Sequence, residues 1–509
     1  MSVNIPIPQA DTSRHSESDR RRRQLILAIC STSLLIVGMD ATIVNVALPA
    51  IGHSFRTTLT GLQWSVDAYT LVLASLLMLC GSTADRLGRR RVFQTGLVVF
   101  SLGSLACALA PSLGLLIVFR VLQAVGGAML SPATMSIVRN TFEDPSERAR
   151  AIGVYAAMFG VSMAVGPVLG GFLVSSISWR AVFMVNVPIG LAVIAMAARF
   201  VPESRAPRPR RPDPIGQLLV ITALAPLTFA IIEGGQVGFG AHRVVISLAI
   251  SLGCLAALVF CERNRTEPLL EMRFFASVPF AGANAIAVCL LACLGGFLFL
   301  GTLYLQDVRG LSPLHAGLDL LPTAMVMTVV APLSGRLTGR YGPRPCMLVG
   351  GLAVSASGSM LTGLTPNTSM LYLLTAFAVL GLGVALVNPP ISNTAVSGMP
   401  PVQAGVASAI ATTSRQMGMT LGVAVFGAIA GTEHGTGIEQ RFAQATHPCW
   451  WIVTALGLTV VSLGYLTTTA WAQDTARYTA ESMSDPDSGG RSRRIQIARP
   501  ASRRLRQLE

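Results

Sequence analysis

The chain has 509 residues, of which 52% are hydrophobic and only 12% are charged. A soluble globular protein carries roughly 25% charged residues, so this composition excludes an ordinary soluble domain and indicates a membrane protein with many spans. The net charge of +14 comes from arginine alone. The arginines stand in short clusters between apolar runs, which is typical of cytoplasmic loops and argues against a nucleic-acid partner.

Apolar runs long enough to cross a bilayer recur along the whole chain. A bilayer core takes about 20 apolar residues per helix, and runs of this size predict fourteen transmembrane helices. They cover residues 25–49, 63–82, 93–111, 114–138, 150–176, 182–201, 215–232, 243–261, 279–305, 315–337, 346–364, 370–391, 404–430 and 450–471. The first run is too long for the core of a signal peptide, so we expect it to remain as an uncleaved span.

The positions of the arginines test this count. With the N-terminus inside, 31 of the 38 fall in the tails and inner loops, five fall in outer loops, and two, Arg120 and Arg415, fall within spans. One missed or invented helix would invert every later loop, so the bias supports the topology. The sequence therefore predicts a multi-pass protein of the cell (inner or plasma) membrane with both termini cytoplasmic.

A weak internal repeat divides the chain into two halves. The stretch GSTADRLGRRR from Gly81 resembles GRLTGRYGPRP from Gly335, and both follow an even-numbered predicted helix on the inner side. Two related halves fit the parallel-repeat layout of secondary transporters. We therefore predict an all-α polytopic membrane protein with five parts. They are a cytoplasmic N-terminal tail (1–24), a six-helix half (25–201), a linker with two extra transmembrane helices (202–275), a second six-helix half (276–471) and a disordered cytoplasmic tail (472–509).

The inner loop Gly81–Arg91 carries glycines that allow two helix ends to approach closely. Its acid can cap a helix or pair with arginine across the inner face. An arginine loop that only sets the topology would look similar. The residues concerned are Gly81, Asp85, Arg86, Gly88, Arg89 and Arg90.

Arg120 stands within the apolar run LLIVFRVLQAVGGAM. An arginine inside a span is rare and normally needs a buried partner. Gln123 follows at helical spacing, ahead of two glycines that make a small-residue face. A purely structural buried pair is the alternative to a functional role.

The fifth predicted helix contains GVSMAVGPVLGG, from Gly160 to Gly171. Its small residues form a stripe for close helix packing, and its proline removes one backbone hydrogen bond and bends the helix. A packed, kinked helix of any function would show the same pattern. The residues concerned are Gly160, Gly166, Pro167, Gly170 and Gly171.

Two acids lie in the apolar spans of the first half. Asp40 lies about 15 residues into the first helix, or roughly 22 Å along it, and a charge at such depth costs at least about 2.5–3.5 kcal/mol. Asp67 lies just inside the second helix, nearer the outer surface. Asp40 is the stronger candidate for a functional role because it is the deepest acid in the chain.

Taken together, these segments resemble the fourteen-span drug:proton antiporter branch of the major facilitator superfamily. The resemblance also rests on LLIVGMDATIVNVALPAI, QWSVDAYTL, WRAVFMVNVPIG, PLLEMRFF and ATTSRQMGMTLGVAVFG, and it covers about residues 25–471. It implies a major facilitator fold of two six-helix halves plus two inserted helices, and an exporter of small hydrophobic, often cationic compounds.

The resemblance also implies roles for single residues. Asp40 and Asp67 would handle protons, Arg120 would be the coupling base, the loop Gly81–Arg91 would be a latch between states, and Gly160–Gly171 would be an antiporter motif typical of exporters. The predicted substrate cavity contains Asp40, Asn45, Tyr69, Gln123, Met158, Phe159, Met163, Arg415 and Met417. Methionine adapts its shape and suits varied ligands, although ordinary packing explains the apolar members equally well.

Other functions fit less well. The chain contains no lysine and hence no phosphate-binding G-x-x-x-x-G-K-[ST] loop, which disfavours an ATP-driven pump. We predict no enzyme activity, no metal and no cofactor, and the resemblance implies a monomer in the lipid bilayer. A proton-coupled uptake symporter and a non-transporting membrane sensor remain as alternatives, and the sequence does not name the substrate.

Overall fold

The computed structural model describes residues 10–206, 213–265, 271–397, 403–431 and 438–484, and in these ranges the chain folds into helices joined by short turns. We call the first six-helix half the N-terminal half. It comprises α1 (Ala10–Phe55), α2 (Leu59–Leu87), α3 (Arg89–Ala108), α4 (Leu113–Thr141), α5 (Pro145–Ser176), α6 (Ala181–Met184) and α7 (Asn186–Phe200), with α6 and α7 forming one interrupted span.

The second half, which we call the C-terminal half, follows after residue 271. It comprises a short 3-10 turn (Met272–Ala276), α10 (Val278–Leu303) with a π turn at its end (Tyr304–Val308), α11 (Pro313–Asp319), α12 (Leu321–Tyr341), α13 (Arg344–Leu361), α14 (Met370–Val396), α15 (Ala404–Ala430), α16 (Ile438–Ala445) and α17 (His447–Thr467). A last helix, α18 (Ala470–Ser484), packs beside α10.

The inserted pair, α8 (Pro214–Val237) and α9 (His242–Arg263), docks where the two halves meet. The Gln217 side-chain amide donates to the Ser75 carbonyl oxygen of α2. A Cβ placed on Gly235 would lie 2.5 Å from the Ala428 carbonyl oxygen of α15. Helix α8 therefore touches both halves, whereas only 17% of the most apolar stretch of α9 is buried.

Local sequence signals explain where helices end. Gly88 separates α2 from α3 with φ at 115°, a conformation that residues with a Cβ rarely adopt. Asp144 caps α5, because its Oδ1 accepts hydrogen bonds from the backbone N–H groups of Ser146 at 2.9 Å and Glu147 at 2.8 Å. Pro145 occupies the first turn, where a missing N–H is harmless.

Twelve helices of the described ranges are long and apolar enough to cross a membrane. The other two predicted spans are helical as well, as α13 with 18 residues and α15 with 27. Arginine and several small polar residues lower the apolar content of both. The count of fourteen spans therefore stays a prediction, and the all-helical membrane architecture is confirmed.

The predicted disordered tail differs from the structure at its beginning. The prediction assigned 472–509 to disorder because that stretch is polar, but α18 continues to Ser484. Its helix is anchored where the Thr475 Oγ1 accepts a hydrogen bond from the Val278 N–H at 3.0 Å. The prediction is wrong for residues 472–484, while 485–509 and 1–9 lie outside the described residues.

Candidate functional site

Asp40 and Arg120 meet in the interior of the N-terminal half. Helix α1 supplies the carboxylate and α4 supplies the guanidinium, whose Nη1 donates to Asp40 Oδ2 at 2.5 Å. Their side chains are 0% and 1% exposed. The structure thus gives Arg120 the buried partner that a charge inside a membrane requires.

Polar side chains of α3, α4 and α7 complete the surroundings of Asp40. Asp40 Oδ1 accepts hydrogen bonds from Gln123 Nε2 at 2.7 Å and from Asn186 Nδ2 at 2.9 Å. Both amides also donate to Ser104 Oγ, at 3.1 and 3.0 Å, and Ser104 in turn donates to the Phe183 carbonyl oxygen at 2.8 Å. The buried network, as we call this set, consists of Asp40, Ser104, Arg120, Gln123 and Asn186.

Arg120 is held from several sides. Its Nε donates to the Ser65 carbonyl oxygen at 3.1 Å, and its Nη1 also donates to Gln123 Oε1 at 2.9 Å. The guanidinium carbon lies 4.2 Å from the ring centroid of Tyr69, a cation–π distance. The Tyr69 hydroxyl donates to the Val37 carbonyl oxygen at 3.4 Å. The arginine therefore ties α1, α2 and α4 together.

Asp67 lies apart from this network, on the face of α2 that packs against α15. On the same face, Gln63 donates to the Ala424 carbonyl oxygen at 3.0 Å, and the Thr420 hydroxyl donates to Thr70 Oγ1 at 2.9 Å. Asp67 is 0% exposed. Neither of its carboxyl oxygens has a hydrogen-bond partner within the described part of the chain. A buried acid thus lies at the contact between the two halves.

The residues predicted for a substrate cavity divide into two groups. Asp40, Tyr69 and Gln123 are fully buried in and around the network, and in this conformation they do not reach open space. Asn45 and Met163 are also buried, at 3% and 5% exposure. The partly exposed members are Met158, Phe159, Arg415 and Met417.

Arg415 has polar but uncharged partners. Its Nε donates to Asn388 Oδ1 of α14 at 3.0 Å, and its Nη2 donates to Ser392 Oγ. The neighbouring Ser414 donates to Asn284 Oδ1 of α10 at 2.9 Å. A second polar cluster therefore lies within the C-terminal half.

We call the end of the bundle that carries Gly81–Arg91 the motif end and the opposite end the far end. At the far end the halves touch directly. Gln306 Nε2 donates to the Val46 carbonyl oxygen at 3.0 Å, and the Leu314 N–H donates to Ser175 Oγ at 3.2 Å. This end of the interface between the halves is closed.

The glycine motif of α5 packs against α1 of its own half and against α11 of the other half. Cβ atoms on Gly166 and Gly170 would lie 2.0 Å from Thr42 Oγ1 and 2.7 Å from Ile43 Cγ1, both on α1. A Cβ on Gly171 would lie 2.4 Å from the Pro313 carbonyl oxygen of α11 in the other half.

The remaining motif residues also lie at this interface. A Cβ on Gly160 would lie 3.4 Å from Thr328 Oγ1 of α12. The carbonyl oxygen of Pro167 lies so close to Gly317 of α11 that a Cβ there would be 2.2 Å away. The predicted small-residue stripe is therefore used for contact between the halves as well as within one half.

Gly171→Leu is expected to abolish transport, because a side chain there collides with backbone of the other half and prevents closure of the far end. Transport rate per molecule of membrane-inserted protein measures the effect. Gly153→Leu is a matched control on the same helix, since a Cβ at Gly153 meets nothing within 4 Å. Equal transport by the two variants would show that this contact is dispensable.

The loop Gly81–Arg91 contacts the segment that follows α7. Asp85 Oδ1 accepts hydrogen bonds from Arg89 Nη2 at 2.8 Å and Nε at 3.0 Å. The Glu203 carboxylate accepts from the backbone N–H of Arg90 at 3.1 Å, at the start of α3, where the helix dipole favours an anion. Next to it, a Cβ on Gly88 would lie 2.7 Å from the Glu203 carboxyl.

The other members of this loop contribute less to the observed contacts. Gly81 lies against Pro132 of α4, where a Cβ would be 3.5 Å from the proline Cβ. Arg86 is exposed. The latch role assigned to the loop stays a prediction.

Sequence reasoning missed several residues of these sites. Asn186 lies in the quoted segment WRAVFMVNVPIG, where a lone amide in an apolar run was the available signal. Ser104 and Ser65 carried no signal, because serine is common in spans. Glu203 lies two residues after the predicted helix 182–201, and an acid in an arginine-rich inner loop was the available signal.

Comparison with known proteins gives the following likenesses. The sequence profile described as Major Facilitator Superfamily matches residues 30–423. The multidrug resistance protein Stp of Mycobacterium tuberculosis is 37% identical over 84% of this chain and 79% of Stp. The tetracenomycin C resistance and export protein of Streptomyces glaucescens is 35% identical over 83% of this chain and 78% of that protein.

The solved structures that share the fold include that of another transporter homologue. It is a bacterial homologue of the human lysosomal transporter Spinster in an inward-facing, unoccupied conformation. The TM-score is 0.61, and the match covers 90% of this chain and 98% of that one at 18% sequence identity. This likeness concerns the fold alone.

Proposed function

Because the chain belongs to the Major Facilitator Superfamily, we propose that it is a secondary active exporter that expels a hydrophobic compound in exchange for protons. The family and the fold are those of a transporter of the cell membrane rather than an enzyme. The names of the relatives, multidrug resistance and antibiotic export, support drug efflux. Proton exchange is our inference from the buried network.

The observation that carries the proton exchange is the surroundings of Asp40. Its carboxylate accepts three hydrogen bonds from Arg120, Gln123 and Asn186, and every donor is an N–H group that cannot accept in return. This arrangement suits the ionised acid. A proton on Asp40 removes the negative charge that strengthens all three hydrogen bonds, so we propose that proton binding and the packing of α1, α4 and α7 are coupled.

Asp67 also supports proton exchange, because its surroundings suit the neutral acid, whereas those of Asp40 suit the ionised one. Burying a carboxylate without a partner costs far more than burying the neutral acid. Its position on α2, against α15, means that the halves close over it in this conformation. We propose that Asp67 binds a proton when the far end closes and releases it when the halves separate.

The transport cycle follows from the two contacts between the halves. We propose that the far end is the outer end and that rocking of the halves opens it while the motif end closes. The exposure of Ser392 and the partial exposure of Asn388, on the motif-end part of α14, support a chamber open to the cytoplasm. Polar side chains within a membrane line water rather than lipid.

We also propose that the full set of spans is fourteen. Helices α13 and α15 then cross the membrane beside α17 and α10, and the inserted pair forms spans seven and eight. This topology places both termini in the cytoplasm, in agreement with the arginine bias.

The free energy released by proton entry is sufficient to drive export of a substrate against its gradient. One proton moving down a membrane potential of 100 mV releases about 2.3 kcal/mol. Since about 1.4 kcal/mol corresponds to a factor of ten, one proton supports roughly a fifty-fold gradient of a neutral substrate.

The direct test uses cells that express the protein and are loaded with Nile red, a neutral hydrophobic dye. We expect less dye in these cells than in cells with an empty vector, and we expect a protonophore to cancel the difference. Efflux that survives the protonophore would contradict proton exchange. Higher accumulation of the dye would indicate uptake.

Asn186→Leu is expected to lower the transport rate, because it removes one of the three hydrogen bonds that the Asp40 carboxylate accepts. The charged and titratable groups that face Asp40 are Arg120 of α4, Tyr69 of α2 and Cys107 of α3, and this variant leaves them in place.

The measurement is the initial efflux rate in proteoliposomes, normalised to the amount of reconstituted protein. Asn140→Leu, an exposed position at the end of α4, serves as the control and keeps the wild-type rate. Equal rates in Asn186→Leu and the wild-type protein would show that this hydrogen bond is dispensable for transport.

A further inference from the structure

Arg415 differs from the other arginine of the spans in having no acidic partner. Arg120 pairs with Asp40 at 2.5 Å. Arg415 instead donates to the neutral side chains of Asn388 and Ser392 on α14. Ion pairs found within the described ranges do not include Arg415, and its Nη1 makes no hydrogen bond there.

The position of Arg415 makes this charge expensive. It is the twelfth residue of the 27-residue α15 and therefore lies near the middle of the helix. Unpaired charges at such depth are rare and mark substrate or ion pathways. Asp40 pairs with Arg120, and Asp67 is buried on the face of α2 that packs against α15, so neither of these acids forms an ion pair with Arg415 within the described ranges.

Arg415 is also reachable. Its side chain is partly exposed, and the same is true of Asn388, whereas Ser392 and Asn393 are exposed. These four residues belong to a partly exposed polar patch on α14 and α15. Met417 lies two residues further along α15, and its side chain is partly exposed as well.

A guanidinium with one free edge has a defined preference. It binds planar anionic groups such as carboxylates through two parallel N–H···O bonds, and it stays protonated at every working pH. Asn388 and Ser392 fix the orientation of the fork from one side and leave Nη1 for a ligand. A cation at the same place meets repulsion in a region of low dielectric constant.

We infer that Arg415 is the anchor for an acidic group of the exported compound, so that hydrophobic molecules carrying a carboxylate, sulfonate or acidic phenol are preferred over neutral molecules and over cations. This inference rests on the proposed export function for the direction of movement, but not for binding. The sequence led us to expect hydrophobic, often cationic substrates, and the inference replaces this with hydrophobic acids.

A negatively charged substrate changes the driving force for export. An anion that leaves a cell with a negative interior moves down the membrane potential. Each exported negative charge gains about fifty-fold in gradient per 100 mV, in addition to the contribution of the proton. Export of an acidic compound therefore depends on the membrane potential even at equal pH on both sides.

Binding of three dyes to the full-length protein in nanodiscs tests the inference. The probes are 8-anilinonaphthalene-1-sulfonate as the anion, Nile red as the neutral compound and ethidium as the cation, each titrated by fluorescence with empty nanodiscs subtracted. We expect Arg415→Gln to weaken binding of the sulfonate at least about tenfold. The same variant changes Nile red binding less than twofold and strengthens ethidium binding.

Two further variants control the experiment. Arg415→Lys keeps the charge but loses the planar fork, and we expect it to restore part of the sulfonate affinity. Arg243→Gln removes an exposed arginine at the start of α9 that forms an ion pair with Glu233 at 3.0 Å. We expect this variant to bind all three dyes as the wild-type protein does.

Two outcomes would overturn the inference. One is equal sulfonate affinity in the wild-type protein and Arg415→Gln, and the other is wild-type binding of ethidium as tight as that of the sulfonate. The titrations use no gradient, so they are independent of whether the protein exchanges protons. Conversely, protonophore-insensitive efflux would contradict the proposed function and leave the dye-binding result intact.

Discussion

Asp40→Asn is expected to reduce proton-driven efflux to the background rate. Asparagine has nearly the same shape but cannot bind and release a proton, so the coupling between proton movement and the packing of α1, α4 and α7 is lost. The measurement is substrate efflux from energised proteoliposomes, normalised to the amount of reconstituted protein. Asp307→Asn, at an exposed position of the π turn, is the matched control and should retain efflux.

A second measurement separates loss of coupling from loss of structure. Exchange of labelled for unlabelled substrate across the membrane needs alternating access but no net proton movement, and we expect Asp40→Asn to retain it. Asp40→Glu keeps an acid at the site and should restore part of the efflux. Normal proton-driven efflux by Asp40→Asn would exclude Asp40 and make Asp67 the primary proton site.

Arg120→Leu is expected to destabilise the protein by about 3–5 kcal/mol, because it leaves the Asp40 carboxylate buried without its countercharge. The double variant Asp40→Asn/Arg120→Leu removes both charges and should recover most of this loss while remaining inactive in efflux. The measurement is the midpoint of thermal unfolding in detergent for the wild-type protein, both single variants and the double variant.

An exposed ion pair provides the comparison. Arg243 Nη2 lies 3.0 Å from Glu233 Oε2, and the arginine side chain is 58% exposed. Arg243→Leu should change the stability by less than about 1 kcal/mol, as is usual for exposed pairs. If Arg120→Leu had an equally small effect, the buried network would not be a structural support of the N-terminal half.

The sequence alone was sufficient for the architecture. Long apolar runs predict membrane helices because hydropathy is a property of each segment by itself. The arginine clusters set the proposed orientation in the same local way. Hence the all-helical membrane architecture was predictable, whereas the count of fourteen spans stays a prediction. Asp40 and Arg120 were recognisable because a charge in an apolar run is conspicuous.

The sequence was less informative where a helix depends on its neighbours. Helix α18 is polar in composition, and its order reflects docking beside α10 rather than any pattern of its own. The same holds for the exposure of Tyr69 and Gln123. Their residue types fit a cavity wall, but the rotation of α2 and α4 places them inside a sealed network.

Only the tertiary structure decided the partners of each charge. Asp40 and Arg120 are separated by 80 positions in the chain and Asp40 and Asn186 by 146. Whether such side chains touch depends on how three helices are rotated and crossed, which long-range packing sets and local composition does not. The same physical reason left Arg415 with the neutral partners Asn388 and Ser392 among the described residues, and the acidic substrate that we infer rests on that difference between the two membrane arginines.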